Sequence, residues 1–170
     1  MAVREIVTNP APVLRQKARK VTDFGADLQR LIDDMVETMR EAPGVGLAAP
    51  QVDIPLRIIV VEFGDEEDEE KPAKLYSLVN PEVIRPSVKM DIGTEGCLSI
   101  PGFVGDVERP VAVTIKGMNR RGKPVRIKAK GWLARIFQHE IDHLDGVLFI
   151  DRAEKVWSVD EEPAQVMPAD

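Results

Sequence analysis

The sequence predicts an α+β fold in which mostly antiparallel β-sheets pack around a C-terminal α-helix, with a further α-helix near the N-terminus. Three observations predict it. Apolar residues recur at helical spacing in two separate segments, 27–42 and 132–145. Strand-like runs lie between those segments and do not alternate with helices, which argues against a parallel α/β sheet. The stretch NRRG at 119–122 reads as a turn joining two of these runs directly.

The elements follow in chain order. DLQRLIDDMVETMREAPG carries Leu28, Leu31, Ile32, Met35, Val36 and Met39 on one helical face. Asp27 is placed to cap this helix, and Pro43 and Gly44 to stop it. LRIIVVEF (56–63) reads as a buried strand. Six consecutive acids, Asp65 to Glu70, then form an exposed loop by mutual repulsion. LYSLVNPEVI, FVGDVERPVAVTIKGM and PVRIKAKG supply further strands, and a helix follows from about 132 to 145. From Trp157 the chain is acidic and contains proline, so residues 1–156 read as one domain and 157–170 as a loose tail.

The chain has 170 residues, enough for one domain with a real core. Apolar residues make up 44 % and charged residues 31 %, a globular composition. No apolar run approaches the length of a membrane span, and the N-terminus has no signal-peptide core, so a cytoplasmic location is expected. A net charge of −6 argues against a general nucleic-acid surface. The single cysteine, Cys97, cannot form an internal disulfide.

Both histidines of the chain, His139 and His143, fall in QHEIDHLDG on the second helix. At about 100° per residue they sit together at one edge of the face formed by Trp132, Leu133, Ile136, Phe137 and Leu144. Glu140 falls in the middle of that face, and Gln138, Asp142 and Asp145 fall on the opposite side. Two imidazoles one turn apart can chelate one cation. A carboxylate amid apolar side chains is costly unless it has a task or a partner. Burial raises its pKa and a nearby cation lowers it, so it can exchange protons near neutral pH.

Catalytic zinc-type sites have three protein ligands and one open position. Asp145, Asp151, Glu154 and Asp160 lie downstream without a clear helical setting. Cys97, in TEGCLSIPG, is the better third ligand. A thiolate with two imidazoles suits zinc or iron(II). Upstream, GVGLAAPQ (44–51) offers glycines that permit close backbone approach. It ends in Gln51, whose amide can donate to a developing oxyanion. A zinc endopeptidase built on HExxH, indifferent to Cys97→Ser, and a non-catalytic metal-binding module are the rival readings.

GVGLAAPQ, EGCLS and QHEIDHLDG, in this order, resemble the three motifs of the peptide deformylase family. The resemblance spans residues 3–151. It implies a hydrolase that removes formyl from the N-terminal formylmethionine of nascent polypeptides and releases formate. It also implies a monomer working near the ribosome. Cys97, His139 and His143 would bind one divalent metal, iron(II) foremost, with nickel, cobalt or zinc accepted. Glu140 would be general base and then acid. Gln51 and the Leu98 N–H would form the oxyanion hole. Backbone groups of Val45 and Gly46 would align the peptide as an added strand. Trp132, Ile136 and Val45 would line the methionine pocket, and tightness at Gly46 would exclude acetyl groups. Glu95, paired with Arg109, would support a metal ligand from behind. Arg135 reads equally as groove rim or solvent-facing. The acidic tail is unlike the basic helix with which some relatives dock on the ribosome.

Overall fold

The computed structural model describes residues 2–64 and 68–160. The elements are α1 (Ala26–Glu41), β1 (Gly46–Ala48), β2 (Ile58–Phe63), β3 (Lys74–Val83), β4 (Met90–Cys97), β5 (Ile100–Pro110), β6 (Ala112–Met118), β7 (Pro124–Lys130), α2 (Gly131–Leu144), the one-turn α3 (Phe149–Arg152) and β8 (Lys155–Ser158). A five-stranded sheet runs β1-β2-β3-β6-β7 and a three-stranded sheet β4-β5-β8. Every pairing between these strands is antiparallel. The α+β expectation holds.

The run IIVVEF is apolar without alternation because β2 is covered on both faces. Ile59 and Val61 pack with Ala134, Ile136, Phe137, Ile141 and Leu144 of α2. Ile58 and Val60 pack with Leu31, Ile32, Met35, Val36 and Met39 of α1. Each side chain that is fully buried this way contributes about 1.5–3 kcal/mol. The sheet is thus held between two helices, which seats α2 against β1 and β2 and fixes the motif it carries.

Local chemistry sets the ends of the elements. Asp27 does not cap α1: Gly25 occupies the cap position, and Asp27 lies in the first turn, paired with Arg30. Starting the helix two residues earlier places Asp27 where its charge meets the positive end of the helix dipole. The NRRG turn joins β6 to β7 as expected: Asn119 Oδ1 accepts the N–H groups of Arg121 and Lys123, and Gly122 takes φ 82°. At the end of α2, the Leu144 carbonyl accepts from Ala18 N–H (2.8 Å) and Arg57 Nη1 (2.9 Å). Gly146 follows at φ 75°, where a side chain would meet the Arg15 carbonyl at 2.7 Å.

The back of α2 is not a solvent face. Gln138 is buried, donating to the carbonyls of Pro110 and Ala134. Asp142 is bound by Arg109 and Arg152. β5 covers this side, so the polar residues there have protein partners. The 156/157 boundary read from composition falls inside β8, where Trp157 is buried and pairs with Val104. Of the acidic loop, 65–67 lie outside the described residues, as do 161–170 of the tail; Asp68 to Lys71 form a turn. Among the described residues no helix is long and apolar enough to cross a membrane.

Candidate active site

Three elements converge on one buried point. Cys97 ends β4, at the irregularity where its register with β5 shifts. His139 and His143 project from α2, with ring centroids 5.1 Å apart and planes at 67°. One ligand atom from each of the three residues lies within 4.8 Å of the others. Cys97 Sγ is 3.4 Å from His143 Nε2. Tetrahedral coordination by sulfur and nitrogen at ordinary bond lengths requires ligand separations of roughly 3.4–3.6 Å. The donor set therefore fits a divalent cation in chemistry, and the Cys97–His143 separation matches that spacing.

Glu140 is fully buried, one residue beyond His139. Gly46 of β1 lies directly against it: a Cβ on Gly46 would stand 2.6 Å from Glu140 Oε2. Only hydrogen at that position lets the strand pass this close to the carboxylate. Gln51 is also fully buried, in the short 3-10 turn Ala49–Val52 that follows β1. Its Oε1 accepts the Ala48 N–H (2.9 Å), which orients Nε2 toward Cys97 Sγ (3.6 Å) and Ser99 Oγ (3.2 Å). Leu98 and Ser99 form the turn between β4 and β5, which puts the Leu98 backbone next to the thiol. Val45 precedes the edge strand β1, and its carbonyl accepts the Glu62 N–H (2.9 Å). Val45, Trp132 and Ile136 belong to one apolar cluster, Ile136 fully buried and the other two partly.

Behind His139 stands Glu95. Its Oε1 is 2.9 Å from His139 Nδ1. Arg109 donates to both carboxylate oxygens, from Nε at 2.6 Å and Nη2 at 2.9 Å. Burial alone would raise the Glu95 pKa, but the hydrogen bonds from Arg109 and His139 and their charges outweigh it. They hold this carboxyl well below the usual range. Burial likewise opposes the charge on Arg109, and Glu95 and Asp142 more than restore it, so its pKa is raised.

Arg135 corrects the sequence reading, which put it at the groove rim or in solvent. It is buried, donating from Nη1 to Glu95 Oε2 (2.7 Å) and the Val107 carbonyl (2.8 Å), and from Nη2 to the Asp91 carbonyl (2.9 Å). Its partners lie on β4 and β5, distant in sequence, so the helical wheel could not show them. Periodicity also missed Ser99, Asp142 and Phe149, which stacks on His139 with centroids 6.2 Å apart. Position offered a signal for two of them: Ser99 sits two residues from the thiol, and Asp142 one turn beyond His139.

A buried thiol, two imidazoles and a carboxylate on an α+β scaffold, with an amide aimed at the thiol, define a candidate metal-dependent hydrolase. The comparisons make this specific. The polypeptide deformylase family model matches residues 3–158. The peptide deformylase of Natranaerobius thermophilus is 50 % identical over 161 residues, 95 % of this chain and 99 % of the relative. Peptide deformylase 1 of Bacillus subtilis is 48 % identical over 161 residues, 95 % and 96 % of the two chains. The crystal structure of the Thermotoga maritima peptide deformylase aligns with a TM-score of 0.84 at 39 % identity, covering 91 % of this chain and all of that one. The chain belongs to the polypeptide deformylase family. Its reaction is the hydrolytic removal of formyl from N-formylmethionyl peptides.

Proposed function

We propose that Cys97, His139 and His143 hold one divalent ion and that Glu140, Gln51 and Leu98 carry out the deformylation around it. The observation that carries this reading is the convergence of the three donors beside the fully buried Glu140. When bound, the ion supplies Lewis-acid activation of water and of the formyl carbonyl. Glu140 takes the proton of the attacking water and delivers it to the leaving nitrogen, which yields formate and a free N-terminus. Gln51 Nε2 and the Leu98 N–H donate to the formyl oxygen as charge builds there. Backbone groups of Val45 and Gly46, at the edge of the five-stranded sheet, align the peptide as an added strand. Val45, Trp132 and Ile136 form the apolar wall for the methionine side chain, and the Gly46–Glu140 contact leaves room for hydrogen but not methyl on the acyl carbon. Glu95 and Arg109 orient His139.

A thiolate with two imidazoles accepts iron(II), zinc, nickel or cobalt. Iron(II) is the ion implied by the motifs, and elemental analysis of protein prepared without air tests it. Acting on nascent chains, the enzyme works as a monomer near the ribosome in the cytoplasm, without direct nucleic-acid contact. The deciding experiment measures formate released from formyl-Met-Ala-Ser by protein loaded anaerobically with iron(II). Absence of formate would sink the reading. Cleavage of internal peptide bonds insensitive to Cys97→Ser would favour an endopeptidase.

Gly46→Ala tests the tightness of the site. The added methyl would overlap Glu140 Oε2, and β1 is tied to β2 through the pairing of Gly46 with Val61, so the strand yields poorly. Displacing a reacting group by about 1 Å costs on the order of 100-fold in rate. That loss of formate release is expected with unchanged metal content. Activity within threefold of wild type would show that the contact is not functional.

A further inference from the structure

The two charged residues of α2 that flank His139 have no role in the mechanism, yet both reach the same buried pair. Arg135 lies one turn before His139 and Asp142 nearly one turn after it. Glu95 Oε1 receives His139 Nδ1 and Arg109 Nη2, and Glu95 Oε2 receives Arg109 Nε (2.6 Å) and Arg135 Nη1 (2.7 Å). Those four contacts use the full acceptor capacity of a carboxylate, so Glu95 cannot turn about its own axis. Held this way, it accepts the hydrogen bond of His139 Nδ1–H and leaves Nε2 as the unprotonated nitrogen that binds a metal. The clamp is itself held. Arg135 is pinned by the carbonyls of Val107 and Asp91 (2.8 and 2.9 Å), and the Trp132 ring lies 5.5 Å from its guanidinium carbon. Gly93 makes room for it, since a Cβ there would stand 2.7 Å from Arg135 Nε.

Charge completes the argument. One carboxylate between two guanidiniums leaves a surplus positive charge beside a cation site, which opposes metal binding. Asp142 Oδ2 takes Arg109 Nη1 (3.0 Å) and balances the buried charges of Arg135, Glu95 and Arg109, while Arg152, half-exposed and screened by solvent, binds Asp142 from outside. We infer that Arg135 and Asp142 are positioning residues for the metal site: through Glu95 and Arg109 they fix the ring of His139 and balance the charge behind it. One helix thereby supplies two ligands together with the clamp that aims one of them. The inference rests on the assignment of Cys97, His139 and His143 as ligands.

The two residues predict effects that a merely structural role would not reproduce. On charge alone, Arg135→Met would tighten metal binding, because it removes a positive charge; as a positioning residue its loss weakens binding. The test measures zinc dissociation constants of the full chain by competition with a chelator, together with the cobalt(II) absorption spectrum. Arg135→Met and Asp142→Asn are each expected to weaken zinc binding by about 10–100-fold and to shift the cobalt bands. Arg135→Lys, which keeps one donor for Glu95, is expected to recover part of the loss. Arg135→Met combined with Glu95→Gln is expected to bind no more weakly than Glu95→Gln alone, because Arg135 acts through Glu95. Unchanged or tighter zinc binding in Arg135→Met, or additive losses in the double variant, would overturn the inference. If Arg135→Met does not fold, Asp142→Asn, at a partly exposed and nearly isosteric position, decides it by the same affinity. Wild-type protein that binds no zinc would overturn both the ligand assignment and the inference. Tight wild-type binding with indifferent variants would overturn the inference alone.

Discussion

Replacing Glu140 by alanine is expected to lower formate release from formyl-Met-Ala-Ser by about 10²–10⁴-fold, the usual contribution of a positioned general acid–base group. The carboxylate is fully buried and lies against the Gly46 backbone, which leaves it little freedom to move. No ligand atom is removed, so metal content is expected to match wild type. Thermal stability is expected to hold or rise, because a buried carboxylate kept for catalysis costs folding free energy. Glu140→Gln, which preserves volume, is expected to be as inactive as the alanine variant. Retention of activity within tenfold in both would place the base elsewhere. A loss of metal in step with activity would make Glu140 a support of the site and not its base.

Glu95→Gln is expected to destabilise the fold by about 3–5 kcal/mol at pH 7, the usual cost of removing one partner from a buried ion pair. Two buried guanidiniums, Arg109 and Arg135, would then face a neutral amide. The pH dependence has a definite sign. The folded-state pKa of Glu95 lies below its ordinary value of 4.5. The stability contributed by its charge is therefore fully present above pH 4.5 and drains away as pH falls from there through the folded value. Wild type should exceed the variant by a constant margin at neutral pH, and the margin should shrink in the acid limb. Urea midpoints of both proteins between pH 7 and pH 3 check this. Equal midpoints at pH 7, or a margin that does not narrow in acid, would contradict the ion-pair account.

The elements that the sequence made legible share one property: the signal is local. α1 and α2 announce themselves by spacing, β2 by an unbroken apolar run, and the β6–β7 turn by Asn119 and Gly122. β4 was not legible as a strand. Its sequence MDIGTEGC has two glycines and three acidic or hydroxyl side chains, a poor β composition. It forms because β5 pairs with it, and Gly93 is glycine because Arg135 passes against it. The edge strand β1 and the short β8 were missed for the same reason, since each exists through its pairing partner. In the site, the motif residues were legible because their chemistry is rare in this chain: its only cysteine, its two histidines and a carboxylate on an apolar helix face. The Glu95–Arg109 pair was expected, and the two residues do meet. Ser99 beside Gln51, the burial of Arg135 and the bridging of Asp142 were not foreseen.

The sequence by itself determined the class of fold and the identity of the metal-binding candidates, and the resemblance of its three motifs to the deformylase family implied the reaction. Fold class and ligand candidates are written in residue type and short-range spacing, which helical and extended backbones convert directly into faces. Only the tertiary structure decided how Arg135 and Asp142 join the Glu95–Arg109 pair behind the site. Glu95, Arg109, Arg135 and Asp142 come from β4, β5 and α2, and a buried charge is stable only with a partner in place. No local rule names that partner, because it is chosen by how the three-stranded sheet packs against the back of α2.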